Sequence, residues 1–249
     1  MNVAIFDTET TGLINGELIE LACLYYNTSD DNIKEYVFKM KPESKVMPSS
    51  TAIHGIEQKV ADTYDAAATV TKSIYDTFRS FEMPTVFVAH NITFDNGIVN
   101  QNFKKYLDSG FEPKQSIDTV RFSKHLIASD EIGGYKLDGV FYYLFRDKLS
   151  WLLEQRATHD ALTDCKITKL VLDELILLLE SKKGKRLTYE EVIEYVNQPI
   201  DMSNEIWAFG KHKGMLIKDT PRGYVNWCLS SEFGRDPKNA DLVYTMKNL

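Results

Sequence analysis

Cysteine is scarce in this chain: Cys23, Cys165 and Cys228 stand far apart in 249 residues. No CxxC or Cys/His spacing suggests a zinc site, and at most one disulfide is possible, which fits a reducing compartment. Proline (7) and glycine (13) are also sparse, which excludes a collagen-like or low-complexity chain. Long apolar runs are missing. The richest stretch, residues 167–179, is broken by Lys169, Asp173 and Glu174 and cannot span a bilayer. An acid at position 7 leaves no room for the apolar region of a signal peptide. These absences point to a soluble, intracellular protein of the cytoplasm with no membrane partner. An excess of positive charge is lacking too: 29 Lys and Arg against 36 Asp and Glu leave −7. A nucleic-acid role would therefore need local patches or bound cations to attract phosphate.

What the chain does have is core material, 43% hydrophobic and 12% aromatic residues. Residues 3–6 (VAIF) read as a short strand covered on both faces. Residues 17–26 and 34–40 read as two more strands, joined by the turn cluster 27–32 into an antiparallel hairpin. Helical periodicity follows at 66–81, where Val70, Ile74 and Phe78 lie one turn apart. A buried strand at 85–89, a helical stripe from Phe94 to Leu107, and a short strand at 116–118 come next. Helices at 120–128, 137–144 and 160–180 complete this part. Strands first, then strand–helix alternation, implies an α/β fold with a mixed β-sheet flanked by helices, not a doubly wound one.

The basic break SKKGKR at 181–186 ends a first domain, taken as residues 1–181. Residues 182–200 read as a basic linker and short helix, with Thr188 as N-cap and Glu191 completing a capping box. Residues 201–249 read as a small C-terminal α+β appendage, with aromatic strands around the turn FGKHKG.

Asp7 and Glu9 follow the first buried strand. Residues i and i+2 of a strand share a face, so both carboxylates project together. Close anions repel until a proton or a shared cation relieves them, and hard oxygen ligands suit Mg²⁺ or Mn²⁺. Asp95 lies in HNITFD (90–95), which ends a second buried strand and opens a helix, where a carboxylate also suits the dipole. His159 and Asp164 lie in HDALTD (159–164), which opens the long helix. Five residues subtend about 140° on an ideal helix, so His159 belongs on the preceding loop and Asp164 on the helix. A neutral imidazole there suits a general base for water. Each feature alone also reads as a solvated pair, a helix cap or a surface histidine. The combination is specific: DTETTGL, HNxxFD and HxAxxD occur once each, in this order.

On these motifs, residues 1–180 resemble the DnaQ-like DEDDh 3′→5′ exonucleases of the ribonuclease-H-like superfamily. The resemblance implies a ribonuclease-H-like sheet, with Asp7, Glu9, Asp95 and Asp164 as catalytic, metal-holding acids and His159 as the base for water. It implies two ions per site, Mg²⁺ or Mn²⁺, with Asp7, Glu9 and Asp164 on one, Asp7 bridging to the second and Asp95 supporting it. Such cations would reconcile an anionic scissile phosphate with a nest of carboxylates. The implied reaction removes nucleoside 5′-monophosphates from DNA 3′ ends, single-stranded or duplex. Substrate contacts are implied for the Thr10 to Leu13 loop and for Ala52-Ile53-His54-Gly55-Ile56. Leu13 and Ile53 would pack against the terminal base, with Phe94 stacking nearby. His54 would reach the sugar or phosphate, and Asn91 would hydrogen-bond within the site. Asp118 is expected to cap the next helix.

The tail, with Trp207, the turn through Gly214, Pro221, Tyr224 and Trp227, resembles the small C-terminal domain of exonuclease X and similar proteins. From residue 201 on it carries six acids and seven Lys/Arg, so it stands at +1 against −8 for the rest. Lys211, His212 and Lys213, with Trp207 and Trp227 near, are candidate nucleic-acid contacts. The same residues also suit a hairpin turn over core aromatics, or a dock for a protein partner whose identity the sequence leaves unknown. Two other functions compete. RNA or short oligonucleotides would serve as substrate equally well, because the motifs do not read the 2′-OH. A polymerase-associated subunit, proofreading or catalytically vestigial, is the other; the intact acids and His159 argue against a vestigial site.

Overall fold

The computed structural model describes residues 1–30, 32–155 and 160–249. Its strands are β1 (Asn2–Thr10), β2 (Leu18–Asn27), β3 (Lys34–Lys41), β4 (Asp65–Ala66), β5 (Thr85–Ala89) and β6 (Ser116–Asp118). They form one sheet in the order β4-β3-β2-β1-β5-β6. β2 runs antiparallel to β1 and β3, while β5 is parallel to β1 and β6. The helices are α1 (Pro48–His54), α2 (Gln58–Ala61), α3 (Ala67–Ser80), α4 (Ile92–Leu107), α5 (Thr119–Leu126) and α6 (Ser129–Ile132). They continue with α7 (Leu137–Leu144), α8 (Leu149–Gln155), α9 (Ala161–Lys183), α10 (Tyr189–Val196), α11 (Arg222–Ser230) and α12 (Ala240–Lys247).

Alternation along β1 decides which layer each residue joins. Val3 and Ile5 face a core shared with Cys165, Val171 and Leu172 of α9. Ala4 and Phe6 face the opposite core, with Phe78 of α3 and Phe103 of α4. A strand covered on both faces is continuously apolar, which is why 3–6 was recognisable. The expected hairpin of β2 and β3 is present. β1 differs from expectation: it runs on to Thr10, because Glu9 pairs with Glu20 and Thr10 with Leu18 on β2. Asp7 and Glu9 therefore lie inside the strand instead of beyond it, where the antiparallel ladder fixes their shared direction. The segment 52–56 also differs. It closes α1, with Gly55 at φ 71° donating its N–H to Thr51, a left-handed cap that favours glycine.

Contact clustering divides the chain into a unit of residues 1–127 with 131–196, and a second of 128–130 with 197–249. Thr188 and Glu191 form the expected capping box, each side chain bonding the other's backbone N–H, at 3.3 and 2.9 Å. α10 belongs to the first unit: Arg121 donates to the Val196 carbonyl at 2.8 Å, and Tyr195 meets Phe122 edge-on. The second unit is helical where strands were expected. Its extended pairing is reduced to the isolated bridge Ile206–Leu216, because the chain turns back at once through Gly210–Gly214. Trp207 is 2% exposed and donates its indole N–H to Thr220 at 2.8 Å, so it is core material and not surface. All three cysteines are buried free thiols, and among the described residues no helix is long and apolar enough to cross a membrane.

Phe78 shows how the core supports β1, since its ring meets Phe6, Phe81, Phe87 and Phe111. Phe78→Ala is expected to destabilise the first unit by about 3–5 kcal/mol, read as a lower urea midpoint with an unchanged slope.

Candidate active site

The strand period turns Asp7 and Glu9 to the face covered by α9, whose first turn carries Asp164. One carboxylate oxygen from each of Asp7, Glu9 and Asp164 lies within 4.8 Å of the other two. Two strand acids and one helix acid, remote in sequence, thus meet at one point. Burial, with Asp164, Glu20, Asp95 and Asp160 as like-charged neighbours, pushes the Glu9 carboxyl up to about 8. A carboxyl held that high marks a site with too much negative charge for its surroundings. The all-oxygen donor set fits a hard divalent cation, which relieves that repulsion.

Asp95 stands differently. Thr8 alternates to the α4 side of β1, and its hydroxyl donates to Asp95 at 2.7 Å. Asp95 is 3% exposed, and burial pushes its carboxyl up to about 7 despite hydrogen bonds that favour the anion. Among the described residues, the cluster of ligand-distance oxygens comprises Asp7, Glu9 and Asp164, with Asp95 tied to Thr8 behind it. The first turn of α4 packs on the other face of the sheet, and that separates the fourth acid. Asp160 caps α9, accepting from the N–H and hydroxyl of Thr163. His159 lies outside the described residues.

Glu20 went unremarked in the sequence. It sits opposite Glu9 on β2, is 2% exposed, accepts the Ala161 N–H at 3.3 Å and pairs with Lys39 at 3.1 Å. It thereby pins the start of α9, and with it Asp164, to the sheet. A charge inside the apolar run ELIELACLYY was the available signal. Asp118 does cap α5, accepting from Val120 and Arg121, and it also takes the Asn91 N–H at 3.1 Å. Asn91 itself is exposed, in the left-handed region at φ 79°, at the start of α4.

The substrate-contact candidates divide into surface and support. Leu13 (80% exposed) and Ile53 (58%) present apolar side chains to solvent. Phe94 is half-buried against the α4-side core. Thr10 is buried, its hydroxyl donating to the Gly12 carbonyl at 3.0 Å. His54 is buried as well. Its Nδ1 accepts the Ile56 N–H at 3.0 Å, which leaves Nε2 protonated toward the Thr10 carbonyl at 3.3 Å. Burial holds this imidazole below its ordinary pKa, so it is a neutral brace between α1 and the end of β1. Beside Asp164 opens a cleft of about 500 Å³, walled by Ile53 on one side and by Gly133, Gly134 and Lys136 on the other. His90 steadies that second wall through the Tyr135 carbonyl at 2.8 Å.

Comparison with known proteins agrees with this geometry. The model of a family described as exonuclease, of the RNase T type, matches residues 4–172. The chain is 29% identical over 218 residues to a PolC-type DNA polymerase III of Streptococcus mutans, covering 86% of this chain and 13% of that protein. It is 24% identical over 261 residues to the 3′-5′ exonuclease DinG of Staphylococcus aureus, covering 99% of this chain and 28% of that protein. The chain thus spans well under a third of these relatives' length. A solved structure of exonuclease X with 5′ overhanging duplex DNA superposes with a TM-score of 0.51 at 21% identity, covering 78% of this chain and 99% of that one. The mixed sheet and its helices are those of the ribonuclease-H-like exonucleases. With residues 4–172 of 249 matched by the family model, the chain belongs to the exonuclease family.

Proposed function

We propose that this chain is a metal-dependent 3′→5′ exodeoxyribonuclease that releases nucleoside 5′-monophosphates from DNA 3′ ends, single-stranded or duplex, in the cytoplasm. The observation that carries the reading is the meeting of Asp7, Glu9 and Asp164 oxygens within 4.8 Å in a chain of the exonuclease family. The polarity is supported by the relative named as a 3′-5′ exonuclease, and a DNA substrate by the exonuclease X complex. Residues 1–181 hold this activity, residues 182–200 lead out of it, and 201–249 form an ancillary domain like that of exonuclease X.

Asp7, Glu9 and Asp164 would hold one Mg²⁺ or Mn²⁺, and Asp7 with Asp95 a second. Such ions supply the positive charge that draws an anionic phosphate in and stabilises both oxygens of an in-line displacement. The chain's own residues do the rest. His159, next before the α9 cap in sequence, takes the proton of the attacking water. Leu13 and Ile53 wedge the terminal base without reading its identity, and Phe94 lines the approach. Thr10 and Asn91 shape the backbone around the site, and His54 holds the Thr10 carbonyl in place.

A single gel tests the reaction class. Incubated with Mg²⁺, 5′-labelled single-stranded DNA should shrink to a ladder from its 3′ end, and duplex DNA likewise. Chelator or Asp7→Ala should abolish the ladder; an RNA lane degraded faster than DNA would reject the substrate assignment. His159→Ala should lower turnover about 10²–10⁴-fold while oligonucleotide affinity stays near wild type, because it removes a base and no ligand.

The raised carboxyls make a second, independent test. Glu9 and Asp95 hold protons in the folded chain at pH values where the unfolded chain has released them. Folded stability without metal should therefore fall as pH rises from about 4.5 to about 8, the window between the ordinary and folded values for Glu9. Thermal unfolding in chelator at pH 5, 6.5 and 8 measures this slope. Mn²⁺ should raise the midpoint strongly at pH 8 and little at pH 5, since ligands must be deprotonated to bind. Glu9→Gln should flatten both trends; an unchanged slope in that variant would remove Glu9 from the cluster.

A further inference from the structure

The two tryptophans of the second unit have opposite fates. Trp207 is 2% exposed and hydrogen-bonded, whereas Trp227 is 58% exposed. Trp227 does not stand alone. On α11 it stacks on Tyr224, three residues earlier, with centroids 5.4 Å apart and planes at 29°. The His212 ring meets Tyr224 on another edge at 4.4 Å. Gly210, at φ 77°, lets the turn close down on this ring: a Cβ there would come within 3.3 Å of the Tyr224 hydroxyl. The result is a supported run of rings, His212, Tyr224 and Trp227, whose outermost member is open to solvent.

Charge says what such a surface accepts. Lys211 and Lys213 flank His212, and Arg222 begins α11. All three are exposed, and none pairs with an acid among the described residues. Unpaired cations around a stacked indole complement a chain of phosphates with unpaired bases, since stacking accepts any base and the cations track the backbone. An acidic or apolar peptide would use only one half of this arrangement.

We propose that the second unit is a single-stranded nucleic-acid platform, with Trp227 stacking a base over Tyr224 and with Lys211, Lys213 and Arg222 holding the adjoining phosphates. The proposal takes its class of ligand from the nuclease reading but not its chemistry of cleavage.

The test uses the full chain in an Asp7→Ala background with Mg²⁺, and fluorescein-labelled dT20 read by anisotropy. Trp227→Ala should weaken binding at least about 5-fold, the low end for loss of one stacked base, and Trp227→Phe should recover most of it. Lys211→Glu with Lys213→Glu should weaken binding and lower the slope of log affinity against log salt by about 1. Affinity for blunt duplex should be indifferent to Trp227. Wild-type affinity in Trp227→Ala, or an equal loss on blunt duplex, overturns the platform and leaves the patch to a protein partner. Because Trp227 is more than half exposed, the variant should keep the parent's unfolding midpoint; should it not, the lysine pair alone decides by its salt slope. A wild-type chain that fails to cut DNA would overturn the nuclease reading while leaving this binding measurement intact.

Discussion

Repulsion among carboxylates at the end of β1 is the constraint on which the rest depends. Asp7, Glu9 and Asp164 converge, with Glu20, Asp95 and Asp160 contributing further negative potential at Glu9. Left to themselves these groups would splay apart or stay in water. They are held because each rides on an element fixed by something else. β1 is buried on both faces, so its register cannot slip without exchanging two cores. α9 packs Cys165, Val171, Leu172 and Leu175 into the sheet, and Glu20 bolts its first residue to β2. A local conflict of this kind, set into an otherwise consistent fold, is the ordinary signature of a working site.

The supports show an economy of residue type. Thr8 shares a strand with Asp7 and Glu9 but points the other way, and there it satisfies the buried Asp95. His54 commits both ring nitrogens to backbone, where it braces α1 against the tip of β1. Neither side chain needs to touch a substrate to matter. Leu13 and Ile53, by contrast, contribute little to the core and leave their apolar surface to solvent beside these braces.

Most of this was legible because period-2 and period-3.6 patterns survive wherever one face is buried. The strand at 85–89 and the helix at 137–144 appear with the bounds their patterns imply, and the acids of the first and last motifs come together as their contexts suggest. What stayed hidden depends on partners. The last residues of β1 are polar, and only pairing with β2 makes them a strand. Glu20 resembles a surface charge until Ala161 and Lys39 arrive from elsewhere in the chain. Asp95 reads as a fourth equivalent acid, since sequence does not say which face of the sheet α4 covers. In the tail, aromatic residues at short spacing imitate strands, whereas their burial against Thr220 and α11 makes them a helical core. One motif residue, His159, lies outside the described residues, so its part rests on sequence alone.

The uneven charge of the chain follows from the same constraint. The first 200 residues carry 30 acids against 22 Lys and Arg, and the remainder six against seven. A surface built around clustered carboxylates repels a polyanion until cations occupy it, so it cannot also provide general attraction for nucleic acid. Attraction that does not depend on those cations must come from residues outside the acid cluster. Lys211, Lys213 and Arg222 meet that requirement, being exposed and unpaired among the described residues, and Trp227 adds a contact that salt does not screen. Separating the two tasks lets the catalytic acids stay as crowded as metal binding demands while the chain as a whole remains at −7.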